Sequence, residues 1–140
     1  MNAEIATANF ARWDSALQTG DPLQVVSLYA DNLTLLPTMQ TKTICSRTGA
    51  QQYFEFFGSF HPTVSILEQY VLPVSEESYL HCGVYRFIVD TPRGTREPLD
   101  ARFSFLWKKN GAVWEILHHH SSRVLTVTPD GRLLNGRFGG

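Results

Sequence analysis

Three consecutive histidines, His118, His119 and His120, run directly into Ser121 and Ser122. On an extended strand the side chains alternate between faces, so His118, His120 and Ser122 share one side. Two imidazoles at that spacing, with Cβ atoms about 6–7 Å apart, can chelate a divalent metal if a third ligand arrives from another strand. His81 and Cys82 have the right chemistry, but neither sits at a diagnostic spacing, and no metal is assigned. The other reading is a pair of neutral rings hydrogen-bonded to hydroxyls such as Ser122 or Thr38, either structural or lining a pocket. Arg102 is the next group of interest, because a guanidinium keeps its charge and cannot be buried without a partner. It serves either an ion pair, with Asp100 for example, or a bound anion. Asp14 is a carboxylate within an otherwise apolar helical stripe, at a stripe's edge or facing a cavity. Facing a cavity, it would be a candidate general base, with Tyr53, Tyr85 or His120 as hydrogen-bonding partners; His120 is the other candidate base. Asp100 and Glu115 are weaker carboxylate candidates.

The elements that must position these groups follow from periodicity. Phe10, Trp13, Asp14 and Leu17 recur at i, i+3, i+4 and i+7 in a first helix over residues 2–19. Gly20 ends it, and Asp21-Pro22 opens a second helix reaching about Ala30. Asn32–Pro37 reads as a short strand stopped by proline. Ser46 or Thr48 can cap a third helix bearing Tyr53, Phe54 and Phe57, ended by His61-Pro62. Three long strands follow over Thr63–Val74, Tyr79–Asp90 and Glu97–Lys108. A hairpin through Asn110-Gly111, as a type I′ turn, leads into Val113–Arg123. On the third long strand Leu99, Ala101, Phe103, Phe105 and Trp107 form an apolar face. On the hairpin partner, plain alternation groups Trp114, Ile116, His118, His120 and Ser122. A face that begins apolar and ends with imidazoles describes the wall of a pocket. A bulge between Ala112 and Trp114 would place Arg102 and Ser104 beside His118 and His120; without it, Arg102 lies beside His119 and faces away. A slip of one residue exchanges the faces, so both registers stay open.

Helices first and a curved antiparallel sheet afterwards make an α+β fold, a cone of sheet wrapped around helices. A chain of 140 residues is one domain. A net charge of -1 gives no reason to expect nucleic acid or an anionic membrane. No apolar run approaches the length of a spanning helix, and the N-terminal stretch lacks a secretory pattern. Cys45 and Cys82 form no CxxC pair and read as reduced thiols, which points to the cytoplasm. No cofactor motif is present. Residues 124–140, with Pro129-Asp130-Gly131, read as a tail forming a small extra hairpin or a dimer arm.

Several phrases resemble the nuclear transport factor 2-like superfamily with its cystatin-like cone, including the SnoaL-like proteins. Within it the chain is most similar to the association, or hub, domain of calcium/calmodulin-dependent protein kinase II and its free-standing bacterial relatives. The resemblance is carried by Trp13–Asp21 (WDSALQTGD), Leu35–Thr38 (LLPT), Tyr53-Phe54 with Phe57, Gly83–Tyr85, Ala101–Phe105 (ARFSF) and Trp114–Ser122 (WEILHHHSS). These phrases span residues from about 10 to about 123, and residues 1–123 are read as the one domain of this type. It implies a homodimer or larger assembly and an arginine-containing pocket for a small anionic organic molecule. It implies no kinase activity: the glycine-rich loop, the VAIK lysine and the HRD and DFG motifs are all missing. The hub domain has an arginine directly after its last histidine, where this chain has Ser121. An anion site must therefore draw on Arg102, Arg86 or Arg47. The expectation is a homodimeric binder with a pocket lined by Thr38, Tyr53, Tyr85, Arg102, His118 and His120. A small isomerase, dehydratase or cyclase using Asp14 or His120, or an oligomerisation scaffold, are the alternatives.

Overall fold

The computed structural model of the protein describes residues 3–133. Helix α1 (Ala3–Gln18) buries Ala6, Phe10, Trp13 and Leu17 along one side, the stripe its 3.6-residue period demands. Gly20 then takes a left-handed φ of +72° and turns the chain. The Asp21 side chain accepts from the Leu23 N–H and caps α2 (Pro22–Val26), with Pro22 in its first turn. This helix ends four residues before Ala30, because strand β1 (Tyr29–Leu36) already begins at Tyr29. Ser46 caps α3 (Arg47–Gly58) by accepting from the Gly49 N–H, and the helix buries Ala50, Tyr53, Phe54 and Phe57.

The remaining strands are β2 (Thr63–Ser75), β3 (Ser78–Asp90), β4 (Arg96–Asn110) and β5 (Val113–Arg123). The five lie in the order β1-β5-β4-β3-β2. Strands β2 to β5 form an antiparallel meander, while β1 joins the far side parallel to β5, so the sheet is mixed. Its inner face carries the buried Tyr79, Tyr85, Phe87, Phe103, Phe105 and Trp107, which pack with Trp13, Phe54 and Phe57 of the helices in one core. The sheet bends where β2 crosses Gly83. A Cβ there would lie 2.0 Å from the Glu68 carbonyl oxygen, so only glycine permits the crossing.

Two details of the β4–β5 hairpin decide where the histidines point. The turn residues are Gly111 and Ala112, flanked by the Asn110–Val113 pair, and only Gly111 has positive φ, at +63°. That is a turn of the II′ kind placed one residue later than the type I′ expectation. The second detail is a bulge. Trp107 pairs with Ile116 but Leu106 pairs with His118, which leaves Leu117 as an extra residue. The face grouping Trp114 and Ile116 with His118, His120 and Ser122 is therefore corrected: beyond the bulge His119 and Ser121 point inward. Opposite them, Arg102 pairs with Ser122 and Ser104 with His120 on the outer face. That is the register a bulge nearer the turn would also have produced. Past β5 the chain makes a turn at Pro129–Gly131 closed by a Val127–Leu133 bridge; residues 134–140 of the expected tail element lie outside the described residues.

Candidate functional site

The inner face closes over a chain of polar side chains. The Trp13 indole N–H donates to the Tyr29 hydroxyl at 3.1 Å. Tyr29 in turn meets His119 Nδ1 at 2.8 Å, and His119 Nε2 meets the Tyr85 hydroxyl at 3.2 Å. Tyr85 donates to Ser121 Oγ at 2.5 Å, and Ser121 is hydrogen-bonded to Thr38. All but Thr38 are buried. The local sequence explains the placement: α1 delivers Trp13 from its buried stripe, β1 delivers Tyr29, and the Leu117 bulge turns His119 and Ser121 inward. His119 stacks on Phe105 with ring centroids 4.0 Å apart.

The direction of this chain can be worked out. An indole N–H only donates, so the Tyr29 oxygen must accept from Trp13. If His119 Nδ1 also donated to Tyr29, the Tyr29 hydrogen would be stranded in a fully buried site, a cost of about 1–3 kcal/mol. Tyr29 therefore donates to Nδ1, the proton of the neutral ring sits on Nε2, and Nε2–H donates to Tyr85. Burial, reinforced by the neighbouring His118 and His120, holds the His119 pKa down to about 3, so the ring stays neutral over the ordinary pH range. Burial also pushes the Tyr29 and Tyr85 hydroxyls above the usual phenol range.

The outer face is different in kind. His118 Nδ1 meets Thr34 Oγ1 at 2.5 Å, and burial together with His120 lowers its pKa. His120 and Arg102 are exposed. Both line a cleft of about 610 Å³ between the loop after β1 and the end of β5, whose walls include Thr38, Lys42, Ser121, Ser122 and Arg123. Both also line a second cleft of about 480 Å³ across the outer face, with Glu68, Tyr70, Cys82 and Ser104.

The expected site residues are thus only partly brought together. Thr38, Arg102 and His120 share the larger cleft. Tyr85 lies behind its wall, linked through Ser121. Tyr53 is buried beside Thr38 and Met39, and burial, only partly offset by these two neighbours, pushes its hydroxyl above the phenol range. His118 is separated, on the outer face with Thr34. Asp14 lies half-buried at the edge of the α1 stripe, accepting from Gln18 Nε2 at 3.2 Å, and lines neither cleft. Of the alternative arginines, Arg86 is paired bidentately with Asp100 at 2.7 and 3.0 Å, and Arg47 with Asp31 at 2.7 Å. His81 points inward, bonded to Gln69 at 2.8 Å, while Cys82 points outward. Among the described residues no three His, Cys, Asp or Glu side chains come together as a metal site. His119, Ser121, Tyr29, Lys42 and Arg123 did not emerge from the sequence reading as site residues. Only a recognised bulge would have singled out the first two.

A sequence model described as the calcium/calmodulin dependent protein kinase II association domain matches residues 2–124. The chain belongs to this family. A Xanthomonas campestris structure, provisionally described as such an association domain, is 34% identical over 89% of each chain, with a TM-score of 0.85. An uncharacterised Caulobacter vibrioides protein with a cystatin-like fold is 15% identical over 91% of each chain, TM-score 0.72. A ketosteroid isomerase-like protein from Erwinia carotovora atroseptica SCRI1043 is 16% identical over 89% of this chain and 98% of its own, TM-score 0.70. The last two likenesses show the cone fold alone. No curated protein matches the chain. Among the described residues of this association domain, no helix is long and apolar enough to cross a membrane.

Proposed function

We propose that this association domain binds a small anionic organic molecule in the larger cleft and does so as a homodimer. The supporting observation is the composition of the cleft. Lys42, Arg102, Arg123 and His120 line it together with the hydroxyls of Thr38, Thr41, Thr43, Ser121 and Ser122, and no carboxylate is among the described lining residues. A concave site of one charge sign concentrates counter-ions, and a guanidinium can grip a carboxylate or phosphate through two parallel hydrogen bonds. Arg102 suits this role because, unlike Arg86 and Arg47, it has no ion-pair partner among the described residues. Titration calorimetry with small dicarboxylates and inorganic phosphate tests the reading. Binding that falls at least 10-fold in Arg102→Gln supports it, as expected for loss of a charged hydrogen bond; no binding by the native protein overturns it.

Self-association is supported by the outer sheet face. Tyr70, Leu72 and Val74 project from β2 with relative exposures of 60%, 52% and 65%. By register, Leu72 continues across the sheet into Leu80 and Leu106. Apolar rows of this kind mark interaction surfaces, and a second copy offers the same row to a two-fold axis. Light scattering should give twice the chain mass, with Leu72→Lys reducing it to one; a monomeric native protein removes the proposal. A catalytic role, should the bound anion be a substrate, falls to His120, the one imidazole among the described lining residues and so the natural general base of this cleft.

A further inference from the structure

We propose that the buried chain Trp13–Tyr29–His119–Tyr85 is a one-way hydrogen-bond relay that makes the Ser121–Thr38 pair a polarised donor, selecting an acceptor-only oxygen of the ligand in the cleft. The inference rests on the anion-binding reading above and adds to it the residues that set selectivity.

The argument is a count of hydrogens. Ser121 Oγ already accepts from Tyr85. Ser121 and Thr38 have two hydroxyl hydrogens between them and share one hydrogen bond. Whichever of the two donates, one hydrogen remains, and both residues line the cleft. One unspent donor therefore faces a cleft whose described walls carry no carboxylate. An anionic oxygen, all lone pairs, suits that position; an amine or ammonium would bring more hydrogens to a place that already has a surplus.

The relay behind the pair strengthens this donor. Each hydroxyl that receives a hydrogen bond becomes a better donor itself, and the effect accumulates along a chain running in one direction. Trp13 fixes the direction because indole cannot accept. His119 transmits it, because a neutral ring accepts at Nδ1 and donates at Nε2. Tyr85 touches Ser121 and not the cleft, so it is a positioning residue. The inward turn of His119 at the Leu117 bulge is what connects the two halves of the relay.

The test titrates acetate, fluoroacetate and difluoroacetate, acids of similar size and falling basicity, into the 140-residue protein and reads affinity from NMR shifts. In the native protein the acids should bind with affinities that depend on basicity. In Tyr85→Phe, acetate should weaken by about 3- to 10-fold and difluoroacetate by less, flattening that dependence. A change that merely loosened the fold would weaken all three alike. Tyr29→Phe, one link further back, should show the same flattening to a smaller degree. Thr38→Val, at the cleft wall and outside the core, should show the largest loss and decides the matter if Tyr85→Phe does not fold. Native binding with an unchanged slope in Tyr85→Phe and Tyr29→Phe, or in Thr38→Val should Tyr85→Phe not fold, overturns the relay alone. No native binding of any of the three acids overturns the relay and the anion-binding reading together.

Discussion

The two faces of the sheet are built from the same strands, yet they treat the same residue type in opposite ways. On the inner face His119 stacks on Phe105, meets Trp13 edge-on, is hydrogen-bonded at both ring nitrogens and is held neutral. On the outer face, one residue either side, His118 bonds a threonine at the sheet's far edge and His120 stands exposed in two clefts. A single extra residue, Leu117, separates these fates. What differs is the solvent each imidazole exchanges for protein, and with it whether the ring can carry charge.

His119→Lys is the strongest way to break the comparison. It would put an ammonium group in the buried place of a neutral ring that packs on Phe105 and Trp13. An uncompensated buried charge should remove several kcal/mol, a large part of the roughly 5–15 kcal/mol that holds a domain together. Circular dichroism should show no cooperative native transition; a variant that melts like the native protein would contradict the inward register of His119. Gly83→Ala should come next. Its Cβ would meet the Glu68 carbonyl at 2.0 Å, and the backbone of β2 cannot yield as a side-chain tip would. A loss of about 3 kcal/mol or more is expected from urea unfolding, the range of severe single substitutions.

The same contrast explains what could be read from the chain before its structure was known. The helices, their caps at Asp21 and Ser46 and the long strands follow from periodicity and capping chemistry that act over a few residues, and the boundaries agree within a few positions. The apolar face of Leu99 to Trp107 was legible for the same reason. The bulge was not. Nothing in Ile116-Leu117-His118 marks an extra residue, because a bulge is chosen by which face buries best across the whole sheet. So Arg102 and His120 were grouped together and do line one cleft, while Tyr85 and Tyr53 were grouped with them although neither lines it. Lys42 and Arg123 were missed because a loop and a strand end meet only through tertiary packing.

Acid should expose the inner face's dependence on neutrality. In the unfolded chain a histidine binds a proton as pH falls through about 6.5. His119 in the fold does not do so until about 3. Between these values the unfolded state holds the extra proton, so stability is fully present above pH 6.5 and declines toward pH 3 at up to about 1.4 kcal/mol per pH unit from this one group. The lowered values of His118 and His81 act in the same direction. His119→Gln should lower stability at pH 7.5 but flatten its acid dependence. Urea midpoints at pH 7.5 and 4.5 make the comparison, and equal slopes in both proteins would show that the buried ring is not the cause.

The smallest effect on stability belongs to the outer face, and its smallness is informative. Arg102 is exposed and unpaired among the described residues, so Arg102→Gln should change unfolding free energy by no more than about 0.5 kcal/mol, as surface substitutions do. Removing one positive charge from a crowded cationic cleft even relieves some repulsion from Lys42 and Arg123. The same substitution is expected to remove most of the anion affinity. A side chain that costs nothing to lose from the fold yet governs binding is what separates a site from a core. If Arg102→Gln instead destabilised the protein by several kcal/mol, the guanidinium would be holding structure together, and the division between a closed inner face and a working outer one would have to be redrawn at β4.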